Sequence, residues 1–416
     1  MKHRPRRRRT CSMRSHARAV ALAAAVISIV SAYGSSSAAS DRTNPPLKIG
    51  MSLPLTGPVA DVSKSGYEGY KLWAAQINLQ GGLLGRKVTL DVLDDGFEPS
   101  ASASNYTRLI SHDKVDLLLG TFSSLLNAPD SAIAARQGML YVEPSGGAPT
   151  LFTRGFKNLF FAQPGTSETL PDRFVAYIAS LPAGKRPKTA AYVTQDDPSA
   201  SPAVAMFKKK LEALGVKTLY NQTYDPSTSN FDTIVSAIAH ASPQLVIQGA
   251  VAGDGAQFVR SLQKLSFSPK LLFQTNAPGD ETYAAAVGGK ANVEGVFTAL
   301  AWSAQAKYAG NARFVAAYTK AYGHAPAEDA ANSYTAGQVL AAAVRAVGKI
   351  DQKALAAWLH SHTVNTIVGP LRWDATGIPE GSLLLAQWQG GTLKIIAPKS
   401  AATSTRIIGS KPAWGS

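Results

Sequence analysis

Val115-Asp116-Leu117-Leu118-Leu119-Gly120-Thr121-Phe122-Ser123-Ser124 is the stretch that decides how this chain folds. Its first half reads as a buried strand, because Leu117 to Leu119 form the unbroken apolar run of a parallel strand covered on both faces. Gly120 ends that strand, and a helix is expected to begin near Ser123. Ser123 and Ser124 then bring hydroxyls and backbone N–H groups to a helix N-terminus. The first four N–H groups of a helix lack intrahelical partners, and the helix dipole is positive there, so this turn is a candidate anion site. The plainer alternative is that one serine is only an N-cap.

Outward from this stretch, strand and helix alternate. Upstream, 47–53 reads as a strand running into Pro54-Leu55-Thr56-Gly57-Pro58. Tyr67, Tyr70, Trp73, Ala74 and Ile77 recur at helical spacing, with the aromatics facing a core. Gly81, Gly82 and Gly85 break that helix. Val88, Leu90 and Val92 alternate as a strand ending at Asp94-Asp95. Adjacent strand residues point to opposite faces, so this pair is expected to tie its loop rather than share acid–base work. Helices over about 100–111 and 125–137 flank the quoted strand. A further strand over 139–142 ends at Pro144-Ser145-Gly146-Gly147.

After a connecting stretch over 160–167, the alternation restarts. Strands over 189–194, 245–248 and 271–274 end at Gln195-Asp196-Asp197, Gly249-Ala250 and Thr275-Asn276, with helices over 203–214, 231–240 and 255–265. Then come a strand-like segment over 293–299, helices over 311–322, 330–347 and 352–360, and strand-like segments over 370–373 and 383–389. From about residue 398 the pattern reads as a loose tail. Two successive β-α-β-α runs predict an α/β chain of two doubly wound parallel-sheet lobes. Such sheets bind ligands outside the C-terminal ends of their strands. The loops at Thr56, Asp94, Ser123, Ser145, Gln195, Ala250 and Asn276 all hold that position, and they come from both halves. A small molecule held between two lobes is the expectation.

The 416 residues carry a formal net charge of +15. Eight of the basic residues fall within 1–40, which hold no Asp or Glu; without them 34 basic residues face 27 acidic ones, a net of +7. A mildly basic body without a basic stripe excludes nucleic acid as the main partner. The arginine cluster is followed by an apolar run over 19–30, shorter than the about 20 residues that span a bilayer, and then by small residues over 35–40. That order is a secretory signal peptide over 1–39, with cleavage after Ala39. Ser31-Ala32-Tyr33-Gly34-Ser35 has Tyr33 where a lipoprotein box needs cysteine. The only cysteine, Cys11, lies in the leader, so a mature chain would have neither a thiol nucleophile nor a cysteine metal site.

Catalytic patterns are missing. Of seven histidines, only His360 and His362 lie close together, without metal-binding context, and a histidine there is expected to meet the helix dipole. There is no G-x-S-x-G, no phosphate-binding P-loop, and Gly253-Asp254-Gly255 lacks the third glycine of a dinucleotide fingerprint. The expectation is a non-enzyme without cofactor or metal.

Leu47-Lys48-Ile49-Gly50, Pro54-Leu55-Thr56-Gly57-Pro58, Gly66-Tyr67, Ile77-Asn78, Gly81-Gly82, Gly85-Arg86-Lys87-Val88 and Asp94-Asp95 together resemble the opening of the leucine/isoleucine/valine-binding protein family. These are the type I periplasmic solute-binding proteins of ABC importers. Gly120-Thr121-Phe122-Ser123-Ser124, Pro144-Ser145-Gly146-Gly147 and the run 365–374 resemble later signatures of the family, and the likeness covers roughly 47–395. It implies two lobes, 45–165 plus 300–368 and 166–299 plus 369–416, joined by a three-crossover hinge. It also implies that the loops at Ser123, Ser124 and at Ser145, Gly146, Gly147 hold a ligand carboxylate. The second lobe departs from the amino-acid-binding members: Thr275-Asn276 stands where a ligand-holding glutamate is expected, and the usual tyrosines near Asp196 and Ala250 are missing. Gln195, Asp196, Ala250, Asp254 and Asn276 are the candidate contacts there. Asp196 or Asp254 would replace the glutamate, or serve as turn residue or N-cap.

The function implied is capture of a small carboxylate-bearing solute and its delivery to a membrane permease by a periplasmic monomer. The solute is an amino acid, branched-chain or other, or an aromatic or short organic acid. The alternative is a ligand-sensing subunit for amides, urea or another small solute that acts with a separate signalling partner.

Overall fold

The computed structural model describes residues 44–251, 253–279 and 282–415. The export signal expected over 1–39, with Cys11, lies outside the described residues. Strands β1 (Leu47–Leu53), β2 (Val88–Asp94), β3 (Leu117–Leu119), β4 (Tyr141–Glu143) and β5 (Leu159–Phe161) form an all-parallel sheet in the order β2-β1-β3-β4-β5. Leu117, Leu118 and Leu119 are fully buried, as a central strand with helices on both faces requires. Helices α1 (Ala60–Leu79), α2 (Pro99–Ser111) and α3 (Ser124–Arg136) make the connections.

A second sheet follows. Its strands β6 (Thr189–Gln195), β7 (Lys217–Tyr224), β8 (Leu245–Gly249), β9 (Leu271–Gln274) and β10 (Phe297–Leu300) are also parallel to one another. The helices around it are α4 (Asp172–Ser180), α5 (Ala200–Ala213), α6 (Asp232–Ala241), α7 (Asp254–Lys264) and the short α8 (Tyr283–Ala286) and α9 (Lys290–Val293). The chain then forms α10 (Asn311–Tyr322), α11 (Glu328–Val347) and α12 (Gln352–Ser361), whose apolar faces join the core of the first sheet. A hairpin of β11 (Val364–Thr366) and β12 (Gly369–Leu371) leads back to the second sheet, where β13 (Leu384–Gln389) adds antiparallel to β10 and β14 (Thr392–Ala397) antiparallel to β13. The chain therefore crosses between the sheets three times: after β5, after β10 and before β13.

Glycine marks the closest approach on the first sheet's side. A Cβ at Gly69 of α1 would stand 2.0 Å from the Ala330 carbonyl oxygen of α11, so only glycine lets these two helices meet there. Trp73 and Tyr70 of α1 are buried in that contact, as their spacing predicts.

Several features differ from the sequence reading. β5 overlaps the stretch over 160–167 that reads as a connection, and α4, β11 and β14 fall where no element is expected. β7 is an edge strand whose side chains are mostly half-buried or exposed, which leaves no apolar pattern to read. The second sheet is mixed rather than purely parallel. The C-terminal segment is pinned: Lys411 N donates to Lys270 O at 2.8 Å, Trp414 Nε1 to Phe267 O at 2.7 Å, and Ile408 exchanges two bonds with the Gln387 side chain.

Candidate functional site

The order β2-β1-β3-β4-β5 reverses direction between β1 and β3, so loops leaving the C-terminal ends of those strands go to opposite faces and open a crevice. Leu53 at the end of β1, Ser63, Gly66 and Tyr70 of α1, Thr121 and Phe122 after β3, Pro144 and Ser145 after β4, and Asp329 and Ser333 of α11 line a narrow cleft there of about 10 Å³. Gly120 is required at its floor: a Cβ would lie 2.3 Å from Glu143 Cβ.

Ser123 occupies the N-cap position of α3, but its backbone has φ +78° and its hydroxyl makes no cap bond. That hydroxyl is buried and without a partner, as are the hydroxyls of Thr121 and Ser63. The N-cap-only reading therefore fails for Ser123. Ser124 begins the helix, and its Oγ accepts the Ala148 N–H at 3.1 Å, which ties the α3 turn to the loop after β4. Asn127 braces both loops: its Nδ2 donates to Thr121 O at 3.0 Å, Ser123 O at 3.0 Å and Glu143 Oε2 at 3.2 Å.

Glu143 changes the expected anion site. Its Oε2 accepts the N–H of Ser145 at 2.8 Å and of Gly146 at 2.5 Å. Two amides expected to face a ligand carboxylate hold the chain's own carboxyl instead. The cause is burial: a fully buried acid at a strand end needs donors, and the turn that follows supplies them. Burial also pushes the Glu143 carboxyl up to about 8, against the lowering effect of those two bonds. Gly147 turns its carbonyl to Ser167, accepting from N and Oγ at 3.0 Å each. Of the residues expected to form the anion site, Ser145 lines the cleft, while Ser123, Ser124, Gly146 and Gly147 do not; the Ser63, Thr121 and Ser123 hydroxyls are buried without partners.

Asp94 and Asp95 tie their loop as expected. Asp94 Oδ1 accepts from the amides of Leu55, Thr56 and Gly96, and Asp95 accepts from Ser52 Oγ and the Phe97 N–H.

The second-sheet candidates gather around that sheet's own reversal, between β6 and β8. Asp254 opens α7 and accepts from Tyr224 O–H at 2.6 Å and Val251 N–H at 3.1 Å. Ala250 is buried, and its carbonyl accepts from Thr275 Oγ1 at 2.6 Å. Asp196 and Asn276 are exposed, and Gln195 is half-buried. Ser199 is the N-cap of α5, and it is Asp197, not its neighbour Asp196, that accepts from the Ser199 and Ala200 amides. None of these residues lines the cleft of the first sheet.

Ser63, Tyr70, Thr121, Glu143 and Ser333 were missed by the sequence reading as site residues. Thr121 lay inside the decisive stretch. Ser63 and Ser333 carried no signal, because only the contact between α1 and α11 brings them to the cleft. His360 sits in the last turn of α12 with its ring nitrogens 2.8 Å from Asp374 O and 3.0 Å from Lys157 O, a structural tie between distant segments. Among the described residues, no group of three or more His, Cys, Asp or Glu is placed to hold a metal ion, and no helix is long and apolar enough to cross a membrane.

Comparison with known proteins completes the description. The family model described as periplasmic binding protein matches residues 46–392. An amino acid binding protein of Pseudomonas aeruginosa is 26% identical over 329 residues, covering 79% of this chain and 86% of its own length. A Leu/Ile/Val-binding protein of Rhizobium johnstonii is 27% identical over 355 residues, covering 84% and 93%. The ABC transporter solute binding protein of R. palustris, solved in complex with benzoate, superimposes with a TM-score of 0.72 at 26% identity, covering 88% of this chain and all of that one.

Proposed function

The chain belongs to the periplasmic binding protein family, and from that premise we propose that it is the extracytoplasmic solute-binding protein of an ABC importer. It captures a small carboxylate-bearing solute between two lobes, 45–165 plus 300–368 and 166–299 plus 369–416, and hands it unaltered to a membrane permease. Export uses the signal over 1–39, removed after Ala39, and the mature protein acts as a monomer without cofactor.

One observation carries this reading. Ser63 of α1 and Thr121 after β3, both lining the cleft, and Ser123 at the start of α3, outside its lining, keep buried hydroxyls unpartnered at the reversal side of the first sheet. A buried polar group without a partner costs about 1–3 kcal/mol, so the two on the cleft wall support a solute that completes them. The cleft's volume of about 10 Å³, room for about one water, is far below a typical small-molecule site of roughly 300–1,000 Å³. It fits one wall of a site whose other wall is the second lobe, with Gln195, Asp196, Ala250, Asp254 and Asn276 closing over the solute. Closure traps the solute if the closed state binds it more tightly than the open one. The amino acid and benzoate named for the relatives both carry carboxylates.

A second reading has one observation behind it. With the Ser145 and Gly146 amides held by Glu143, fewer donors remain for a full carboxylate. That favours an amide or urea ligand, sensed on behalf of a separate signalling partner. Calorimetry and thermal shift with leucine, benzoate, benzamide and urea separate the two. The main reading expects a saturable rise in melting temperature with a carboxylate recovered chemically unchanged. A response confined to benzamide or urea would replace it with the second, and product formation would overturn both.

A further inference from the structure

The Glu143 carboxyl is lopsided. Oε2 receives three donors, from Ser145, Gly146 and Asn127, while Oε1 is buried and has no partner. None of the ion pairs among the described residues involves it. A carboxylate spreads its charge over both oxygens, and a bare buried one is costly. A neutral acid fits the arrangement: its carbonyl oxygen collects the donors, and the other oxygen carries the proton.

The groups facing Glu143 reinforce this. Tyr70 of α1 is fully buried and donates to Gly120 O. Tyr141 on β4 donates to Asn127 Oδ1 at 2.8 Å, and its hydroxyl lies 3.3 Å from that of Tyr106 on α2. Asp130 of α3 is buried, accepts from Ser102 Oγ and leaves Oδ1 without a partner. Arg154 gives its guanidinium to Ala128 O and Ser131 Oγ, and Asp329 of α11 lines the cleft that Ser145 also lines. Among the described residues, no ion pair or hydrogen bond brings a cation to Glu143. Its carboxyl nevertheless touches both loops of the candidate anion site, through Ser145 on one side and Asn127 to Ser123 on the other.

We propose that Glu143 is a protonation switch beneath the solute site: as a neutral acid it shapes the Ser145–Gly147 turn and admits an anionic solute, and as a carboxylate it repels one. This rests on the carboxylate reading above. Glu143 is a positioning residue, acting through the turn it holds and through its charge. Burial pushes its carboxyl up to about 8, so the change falls at mildly alkaline pH.

The test is benzoate affinity by calorimetry from pH 6 to 9.5, for wild type and Glu143→Gln, with ligand-free thermal denaturation over the same range. Wild type is expected to lose up to about tenfold in affinity per pH unit above about 8. The glutamine variant, which keeps an acceptor for the turn, loses that slope whatever its absolute affinity. The denaturation profiles also diverge, because only wild type titrates at this position. Coincident affinity slopes in the two proteins overturn the proposal and leave the carboxylate reading standing. If both proteins ignore benzoate and leucine at every pH yet their denaturation profiles differ, the carboxylate reading falls and the titrating Glu143 stands. Should the variant fail to fold, the wild-type amide resonances of Ser145 and Gly146 decide. Joint titration at mildly alkaline pH supports the switch, and titration in the ordinary carboxylate range, or none, overturns it.

Discussion

The loops at the C-terminal ends of the two sheets are built from similar residues but finished differently. On the second sheet the polar side chains satisfy one another. Asp254 takes Tyr224, Thr275 takes the Ala250 carbonyl, and Gln248, Gln274 and Tyr283 form a buried chain of bonds. On the first sheet Ser63, Thr121 and Ser123 keep their hydroxyls unpartnered, and Glu143 leaves one oxygen bare. Outside these loops, Tyr192 in the body of β6 is the second sheet's buried hydroxyl without a partner. A completed network fixes a shape, whereas an incomplete one beside a cleft is shaped for something that arrives. On the function proposed above, the first sheet would grip the solute and the second close over it.

The harshest way to break this contrast is Glu143→Leu. It strands the Ser145 and Gly146 amides and the Asn127 amide, each costing about 1–3 kcal/mol when buried without an acceptor. We expect about 3 kcal/mol or more lost in urea denaturation, and more than about 100-fold in affinity. A loss confined to stability, with affinity intact, would detach the turn from binding.

The pH dependence of stability comes next. Asp130, Glu143 and Glu328 all lie on the first sheet's side, and burial raises each to about 8. Their folded-state values exceed their unfolded ones, so the folded state binds these protons more tightly. The stability they contribute is full below about pH 4, falls as pH rises through about 8, and is then flat. The second sheet's Asp225 and Asp232 are lowered by hydrogen bonds, to Ser227 and to Lys264 and Ser261, and act only in acid. Thermal melts should drop by several degrees between pH 5 and 8.5 in wild type, and less in Glu143→Gln, Asp130→Asn or Glu328→Gln. Equal slopes in all four proteins would contradict the assignment.

Smaller effects sharpen the contrast. Ser124→Ala is expected to weaken carboxylate binding about tenfold or more, since a charge-assisted bond contributes about 1.5–3 kcal/mol. Asp196→Asn, at an exposed position, should change affinity less than about threefold and stability within about 0.5 kcal/mol. Calorimetry on the pair checks both, and a reversed order would move the grip to the second lobe.

Much of this was legible in the chain. The apolar run at Leu117 to Leu119 and the spacing of Tyr70 and Trp73 gave the layers, because burial imposes period and length on a sequence. β7 was not legible, since an edge strand such as Lys217–Tyr224 has no buried face to write an apolar pattern. The place of the α3 turn was also readable, but its wiring was not. Glu143 looks like any strand-end acid until the fold buries it under the Ser145 and Gly146 amides. Ser63 and Ser333 reach the cleft only because Gly69 lets α1 and α11 meet, a contact between residues far apart in sequence.

The most direct measurement is a crystal structure of the protein with the solute that copurifies with it, or with benzoate. The account predicts an acidic group against the first turn of α3, within hydrogen-bond reach of Ser124 and of the Thr121 or Ser123 hydroxyl, with the second-sheet loops closed over the far end. A solute anchored by Asp196, Asp254 and Asn276, with its acid turned away from Ser124, would contradict it.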